Sequence, residues 1–286
     1  MKKLLMVFTA LALSAGLASA VQADPASDLK QFRDYFKKKF PAVPLDDYAN
    51  GLYVLPGNEE YRTSWVAYND FPPYEIGLEN GKTLWNKPFK NGKTFASCFK
   101  NGGKNIAQGY PYWDETRKQV RNAEMDLNDC LKNNGEKEFT DLDKDQGQRV
   151  KLAELTAYFY SLSKGQRIKI DLSKPGALAA YEKGKQFWWA KRGQLNFACA
   201  DCHMEVAGKN FGGNQPLSAA LGHTTAWPAQ RLEWGRLETL HQRYSTCNTQ
   251  IRAAALKHNG EEYNNLQLYE TYNATGLPLT APDMRN

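Results

Sequence analysis

Cys199-Ala200-Asp201-Cys202-His203 is the segment of this sequence whose residue types and spacing specify a chemistry outright. Two thiols three positions apart can add to the vinyl groups of a haem, and the adjoining imidazole can ligate its iron. A thioredoxin-like redox pair shares the Cys-x-x-Cys spacing but needs a βαβ setting. The aromatic, helix-forming surroundings here do not offer one. A zinc site needs two further ligands, usually from a second paired motif, and no second pair exists. The segment therefore predicts one haem c, tethered at Cys199 and Cys202 with His203 as an axial ligand.

The other axial ligand is the informative question. An electron-carrying cytochrome commonly uses a downstream Met, but no methionine lies between Met204 and Met284. Met284 stands third from the end of the sequence, where chains commonly fray. The remaining candidates are His223, His241, His258 and Cys247, with a surface or capping role expected for His223 and His258. Cysteine arithmetic favours Cys247. Two of the five cysteines go to the haem, and the three left over, Cys98, Cys130 and Cys247, cannot all pair. A Cys98–Cys130 disulfide is the economical pairing, leaving Cys247 to bind iron as an anionic sulfur that favours ferric haem. Arg243 precedes Cys247 by four residues and so shares its helix face. A planar, permanently charged guanidinium beside that sulfur suits an oxyanion substrate.

The elements that must position these groups form two related halves. Gly81-Lys82-Thr83-Leu84-Trp85 returns as Gly184-Lys185-Gln186-Phe187-Trp188, and Phe95-Ala96 before Cys98 returns as Phe197-Ala198 before Cys199. Each half then has a helical stretch near a cysteine, Cys130 or Cys247. Each closes with an amphipathic helix (Val150, Ala153, Ala157, Leu162; Leu266, Tyr269, Tyr272) followed by a glycine suited to a helix C-cap, Gly165 or Gly276. The unit spans about a hundred residues, an ordinary domain length. Period-two alternation is nearly absent, so a β-rich fold is not expected. A helix is expected from near Pro228 to about His258. The stretch from Lys164 to Gly176 reads as the linker. The predicted fold is mainly α, with two tandem cytochrome c-like domains, the first without haem. Their bounds are 24–165 and 166–286, behind a leader at 1–23.

That leader has Lys2 and Lys3 ahead of an apolar run from Leu4 to Leu13, then Ala18-Ser19-Ala20 or Val21-Gln22-Ala23 as the cleavage site. It reads as a Sec-type signal for export to the periplasm, where free thiols do not persist easily. No later segment is apolar over the ~18 residues that a membrane span needs. The formal charge of +6 falls to about +4 without the leader lysines, a mildly basic balance that suits an acidic partner or anionic substrate. No nucleic-acid motif is present, and Lys37-Lys38-Lys39 reads as a solvated helix face.

Taken together, the paired halves, the second-half Cys-x-x-Cys-His and the segment Arg243-Tyr244-Ser245-Thr246-Cys247 resemble the SoxA family, the larger subunits of the SoxAX cytochromes of bacterial thiosulfate oxidation. The resemblance covers nearly the whole mature chain. The haem motif is common to all c-type cytochromes, and its combination with the following Arg-x-x-x-Cys is the more specific signal. The resemblance implies His203 and Cys247 as haem ligands, Cys247 modified to a persulfide, and Arg243 as the substrate-site arginine. It implies L-cysteine S-thiosulfotransferase activity: thiosulfate is oxidatively joined to a cysteine on the swinging arm of a SoxYZ-like sulfur carrier. Two electrons then leave through haem, with a small SoxX-like cytochrome c as partner. Some members carry a haem in the first half as well. This chain departs from them, because Phe99 and Lys100 follow Cys98 and no haem motif forms there. The competing readings are a plain periplasmic electron carrier and a thiosulfate dehydrogenase that makes tetrathionate.

Overall fold

Two helix crossings organise the chain. The computed structural model describes residues 24–211 and 216–286; the predicted leader at 1–23 lies outside them. The chain opens with α1 (Pro25–Lys39), whose N-terminus is capped by the Asp24 carboxylate accepting from Ser27 N at 3.0 Å. A 3₁₀ segment (Asp46–Val54) and α2 (Glu59–Tyr68) follow. Next come α3 (Glu75–Asn86), a short hairpin of β1 (Tyr112–Asp114) and β2 (Gln119–Arg121), α4 (Ala123–Asn133) and α5 (Gln146–Ser161). The second half contains α6 (Pro175–Trp189), β3 (Ala229–Arg231), β4 (Arg236–Glu238), α7 (Leu240–Gln250), α8 (Glu261–Asn273) and β5 (Asp283–Arg285). Helix starts follow local chemistry: Pro175 sits in the first turn of α6, and the side chains of Asn122, Asp145 and Thr239 cap α4, α5 and α7.

α3 crosses α5, and α6 crosses α8, each at a glycine. A Cβ on Gly81 would stand 2.0 Å from the Glu154 carbonyl oxygen, and one on Gly184 would stand 2.0 Å from that of Asn265. Only a hydrogen side chain admits backbones this close. Trp85 and Trp188, four residues on in each case, are both buried. The C-caps of α5 and α8 are Leu162 and Ala274. Gly165 and Gly276 are therefore not their caps; they turn the chain a few residues later with φ of 84° and 83°.

An apolar core runs through both halves, and the seam between them is polar. Arg149 of α5 pairs with the buried Glu238 of β4 at 3.0 Å, and Asn122 donates to Asn264 at 3.0 Å. The expected linker is extended and tied down on both sides, with Ile168 N on Leu277 O at 3.0 Å and Lys169 N on Gln108 O at 3.0 Å.

Three further expectations change. The long helix predicted from Pro228 is instead β3, a 3₁₀ turn, β4 and then the short α7, because the Gly235 turn lets β3 pair antiparallel with β4 and parallel with β5. Met284 is not frayed: β5 holds it, 2 % exposed, in a cluster with Leu52, Tyr53 and Leu237. Residues expected to belong to the first half also dock on the second. Asp28 of α1 takes Lys185 at 2.8 Å and the Tyr181 hydroxyl at 3.0 Å, and Thr225 donates to Ala49 O at 3.0 Å.

Candidate active site

His203 lies in a short π-helical turn, Asp201–Glu205, which the chain clamps from two directions. Ala198 N donates to the Asp201 carboxylate at 2.8 Å, closing the loop that carries both cysteines. From α1, the Tyr35 hydroxyl donates to Met204 O at 2.9 Å, and Lys39 donates to Met204 O at 2.5 Å and Glu205 O at 2.6 Å. Lys37 and Lys38 are solvated as expected, but Lys39 serves the haem-motif turn.

The imidazole of His203 is buried, and its Nδ1 lies 3.1 Å from Ser218 O. A carbonyl can only accept, so Nδ1 carries the proton and Nε2 keeps its lone pair. Burial, reinforced by His223, holds the ring well below the ordinary histidine pKa, so it stays neutral. A neutral imidazole oriented through its other nitrogen is the form that binds a metal.

His203, Cys199, Cys202, Arg243 and Cys247 all line one largely apolar cavity of about 350 Å³, walled by Phe187, Trp188, Phe211, Tyr244 and Leu266. Burial pushes the Cys199 thiol up to about 12, with Glu270 adding to the rise, and Cys202 is raised as well. A dithiol redox pair needs a lowered attacking pKa; these thiols are the opposite. An apolar slot, two un-ionised thiols and a neutral, oriented imidazole fit haem c. Cys199 and Cys202 would tether it, and His203 would hold the iron.

The other histidine candidates separate cleanly. His241 and His258 are buried at the seam, His258 on Thr239 at 2.8 Å, and neither lines the cavity. His258 is thus not a surface residue. His223 does line the cavity, its ring 4.4 Å from that of His203 and its Nδ1 2.9 Å from Glu270. Cys247 sits on α7, one turn from Arg243, so both project to the same cavity.

Arg243 also lines a second, more polar cavity of about 300 Å³ with Arg231, Arg285 and Trp227. Its Nη1 is buried and has no hydrogen-bond partner among the described residues. A permanently charged donor at a place where two cavities meet has the chemistry to receive an anion.

Cys98 and Cys130 are joined as a disulfide in the first half. Between α3 and α5, the space is filled by rings: Trp85 stacks on Phe95 at 5.7 Å and Phe99 at 5.6 Å, and Phe99 meets Phe159 at 4.9 Å.

Residue patterns did not point to Glu270, which α8 buries beside Tyr269 and which accepts from the Tyr244 hydroxyl. Nor did they point to Arg192, whose guanidinium lies 3.7 Å from the Phe187 ring centre and 3.6 Å from Cys199 Sγ. Neither belongs to a recognisable motif, and only folding brings each to the cavity.

The sequence model for the SoxA/TsdA cytochrome c domain matches residues 80–168. Over 92 % of this chain and 89 % of the relative, the sequence is 43 % identical to the L-cysteine S-thiosulfotransferase subunit SoxA of Chlorobaculum tepidum. The chain belongs to the SoxA family. The SoxA subunit of Allochromatium vinosum is 44 % identical over 92 % of this chain and 91 % of that protein. The fold is also that of the crystal structure of SoxXA from P. pantotrophus, with a TM-score of 0.66, 22 % identity, and coverage of 75 % of this chain and 79 % of that one. The chain is therefore a SoxA-type cytochrome c subunit of an L-cysteine S-thiosulfotransferase, a haem c protein of thiosulfate oxidation. The stretch matched by the SoxA/TsdA model contains Cys98 and Cys130, not the haem motif. No helix among the described residues is long and apolar enough to cross a membrane.

Proposed function

We propose that this SoxA chain is an exported, mono-haem subunit that joins thiosulfate to a cysteine of a SoxYZ-like carrier protein and passes two electrons to cytochrome c. Cys199 and Cys202 would tether the haem, His203 and Cys247 would bind its iron, and Arg243 would hold the substrate anion. The observation that carries this reading is the convergence of Cys199, Cys202, His203, Arg243 and Cys247 on one cavity, with an Arg243 donor left open. The chain is built from two tandem cytochrome c-like units, the first haem-free, since aromatic rings fill the space between α3 and α5. Export to the periplasm rests on the leader sequence.

The electron count defines what the residues must do. A carrier thiol and thiosulfate, both electron-rich, form a new S–S bond only if two electrons and the thiol proton leave. Haem c, when bound, supplies an iron that takes one electron at a time. A second haem, on a small SoxX-like partner, completes the pair. Arg243 neutralises the incoming oxyanion in a low-dielectric site, where its charge acts with little screening. With Cys247 as a persulfide, its terminal sulfur bonds the outer sulfur of thiosulfate and two electrons leave. The carrier thiolate then attacks that outer sulfur, forming the product S–S bond and returning the persulfide.

Cys247→Met tests the reading directly. Haem content should be unchanged, because the tether lies elsewhere. The potential should rise as a neutral thioether replaces an anionic sulfur, and carrier-dependent turnover should vanish. Normal turnover in this variant would leave a plain electron carrier in its place. Tetrathionate formed from thiosulfate with no carrier present would identify a dehydrogenase instead.

A further inference from the structure

The polar cavity beside the haem slot contains three arginines, and they are not equivalent. Arg285 is already neutralised: its Nη1 meets Asp283 at 2.5 Å and Met284 O at 2.8 Å, and its Nη2 donates to Ala49 O at 2.8 Å. Arg243 keeps Nη1 buried and, among the described residues, unpartnered. Arg231, on β3, is 4 % exposed and held rigidly, with Nε donating to Asn286 O at 2.7 Å and its guanidinium 5.0 Å from the Trp234 ring centre. Its Nη1 lies 2.9 Å from a carboxylate oxygen of Glu233, yet no well-directed hydrogen bond forms, and the Glu233 side chain is 57 % exposed.

We propose that Arg231 is the second cation of the substrate site, pairing with Arg243 to clamp a dianion carrying several oxygens and so selecting thiosulfate over singly charged anions. This deepens the function proposed above and rests on it. Two like charges facing one cavity, Arg231 buried and Arg243 half-buried, are costly unless an anion joins them; burial and the neighbouring Arg243 already lower Arg231 to about 10. Two planar forks lining one cavity suit a sulfonate end, whose three oxygens can serve both at once. Glu233 is the resting counter-ion at the mouth, weakly placed and displaced when substrate enters.

Binding to the oxidised, haem-loaded full chain, measured calorimetrically without carrier, tests this with thiosulfate and two unreactive probes, sulfate and nitrate. The native protein should prefer the dianion sulfate to nitrate at least tenfold. R231Q should weaken thiosulfate binding roughly ten- to a hundredfold and level the sulfate–nitrate preference. R231K should recover part of the loss, restoring charge without the fork. In turnover, R231Q should raise KM far more than it lowers kcat. E233Q leaves Arg231 in place and should tighten thiosulfate binding severalfold, which keeps the test decisive if R231Q does not fold. Unchanged thiosulfate affinity in both E233Q and R231K, or a retained dianion preference in R231Q, would overturn the clamp. If R243Q alone abolishes binding, the substrate site stands and only the role of Arg231 is wrong. If R243Q also binds thiosulfate normally, the site itself is misplaced and the clamp goes with it.

Discussion

The two halves of this SoxA chain share a helix crossing and differ in what it encloses. α3 on α5 and α6 on α8 meet at Gly81 and Gly184 with the same 2.0 Å approach to a facing carbonyl. In the first half, Cys98 and Cys130 are bonded to each other and Trp85, Phe95, Phe99 and Phe159 fill the interior. In the second half, Cys199, Cys202 and Cys247 are unbonded thiols on the wall of a cavity of about 350 Å³. A frame of this kind must enclose something, since a void forfeits both contacts and burial. The first half meets that need with its own rings and a cross-link. The second lines its interior with thiols and the His203 imidazole, the groups that would hold haem.

The largest expected contrast is in haem. Cys199→Ala with Cys202→Ala should remove covalent haem altogether, whereas Cys98→Ala with Cys130→Ala should leave one haem per chain by pyridine haemochrome assay. Two haems in the native protein, or loss of haem in the Cys98 and Cys130 variant, would break the division of labour. That same double variant should cost stability instead. The disulfide closes a separation of 32 residues, worth about 3–4 kcal/mol if unstrained, or on the order of 10 °C in Tm. An unchanged melting temperature would mean that the rings alone hold the first half.

The crossings give a finer test. Gly81→Ala and Gly184→Ala each force a methyl against a backbone carbonyl, at about 1–3 kcal/mol. The two losses should be similar by denaturant titration. Only Gly184→Ala should also disturb the haem spectrum, because α6 carries Phe187 and Trp188 on the cavity wall. A spectrum unmoved by Gly184→Ala would separate the crossing from the site.

The smallest effect concerns the seam. Burial lowers His241 to about 4, with Glu124 and His258 packed around it. Its usual value is about 6.5, so between pH 6.5 and 4 the unfolded chain binds the extra proton and the folded chain does not. Stability should therefore fall as pH drops through that window, by on the order of 1 kcal/mol per unit. His241→Asn should flatten the slope; an unchanged slope would assign it to other groups.

Part of this was legible in residue order alone. Covalent haem attachment needs two thiols and an imidazole within five residues, so Cys199, Cys202 and His203 announce themselves whatever the fold. The Arg243–Cys247 pair also survives in sequence, because a helix turns spacing into shared direction. The duplicated Gly-Lys-x-x-Trp signals the two crossings for a similar reason: only glycine fits at such a contact. What residue order could not show was anything assembled across distance. Glu270, Arg192, Arg231 and Lys39 each look like ordinary surface charges until the fold buries them or turns them on the haem turn. The sheet that replaced the predicted long helix forms because β3 finds partners on both sides, one of them some fifty residues later at β5. Local periodicity records which face of a segment is apolar, and it carries no record of which distant strand or charge will meet that face. That choice belongs to the tertiary structure, which alone set α1 against the haem half and left Arg243 open between two cavities.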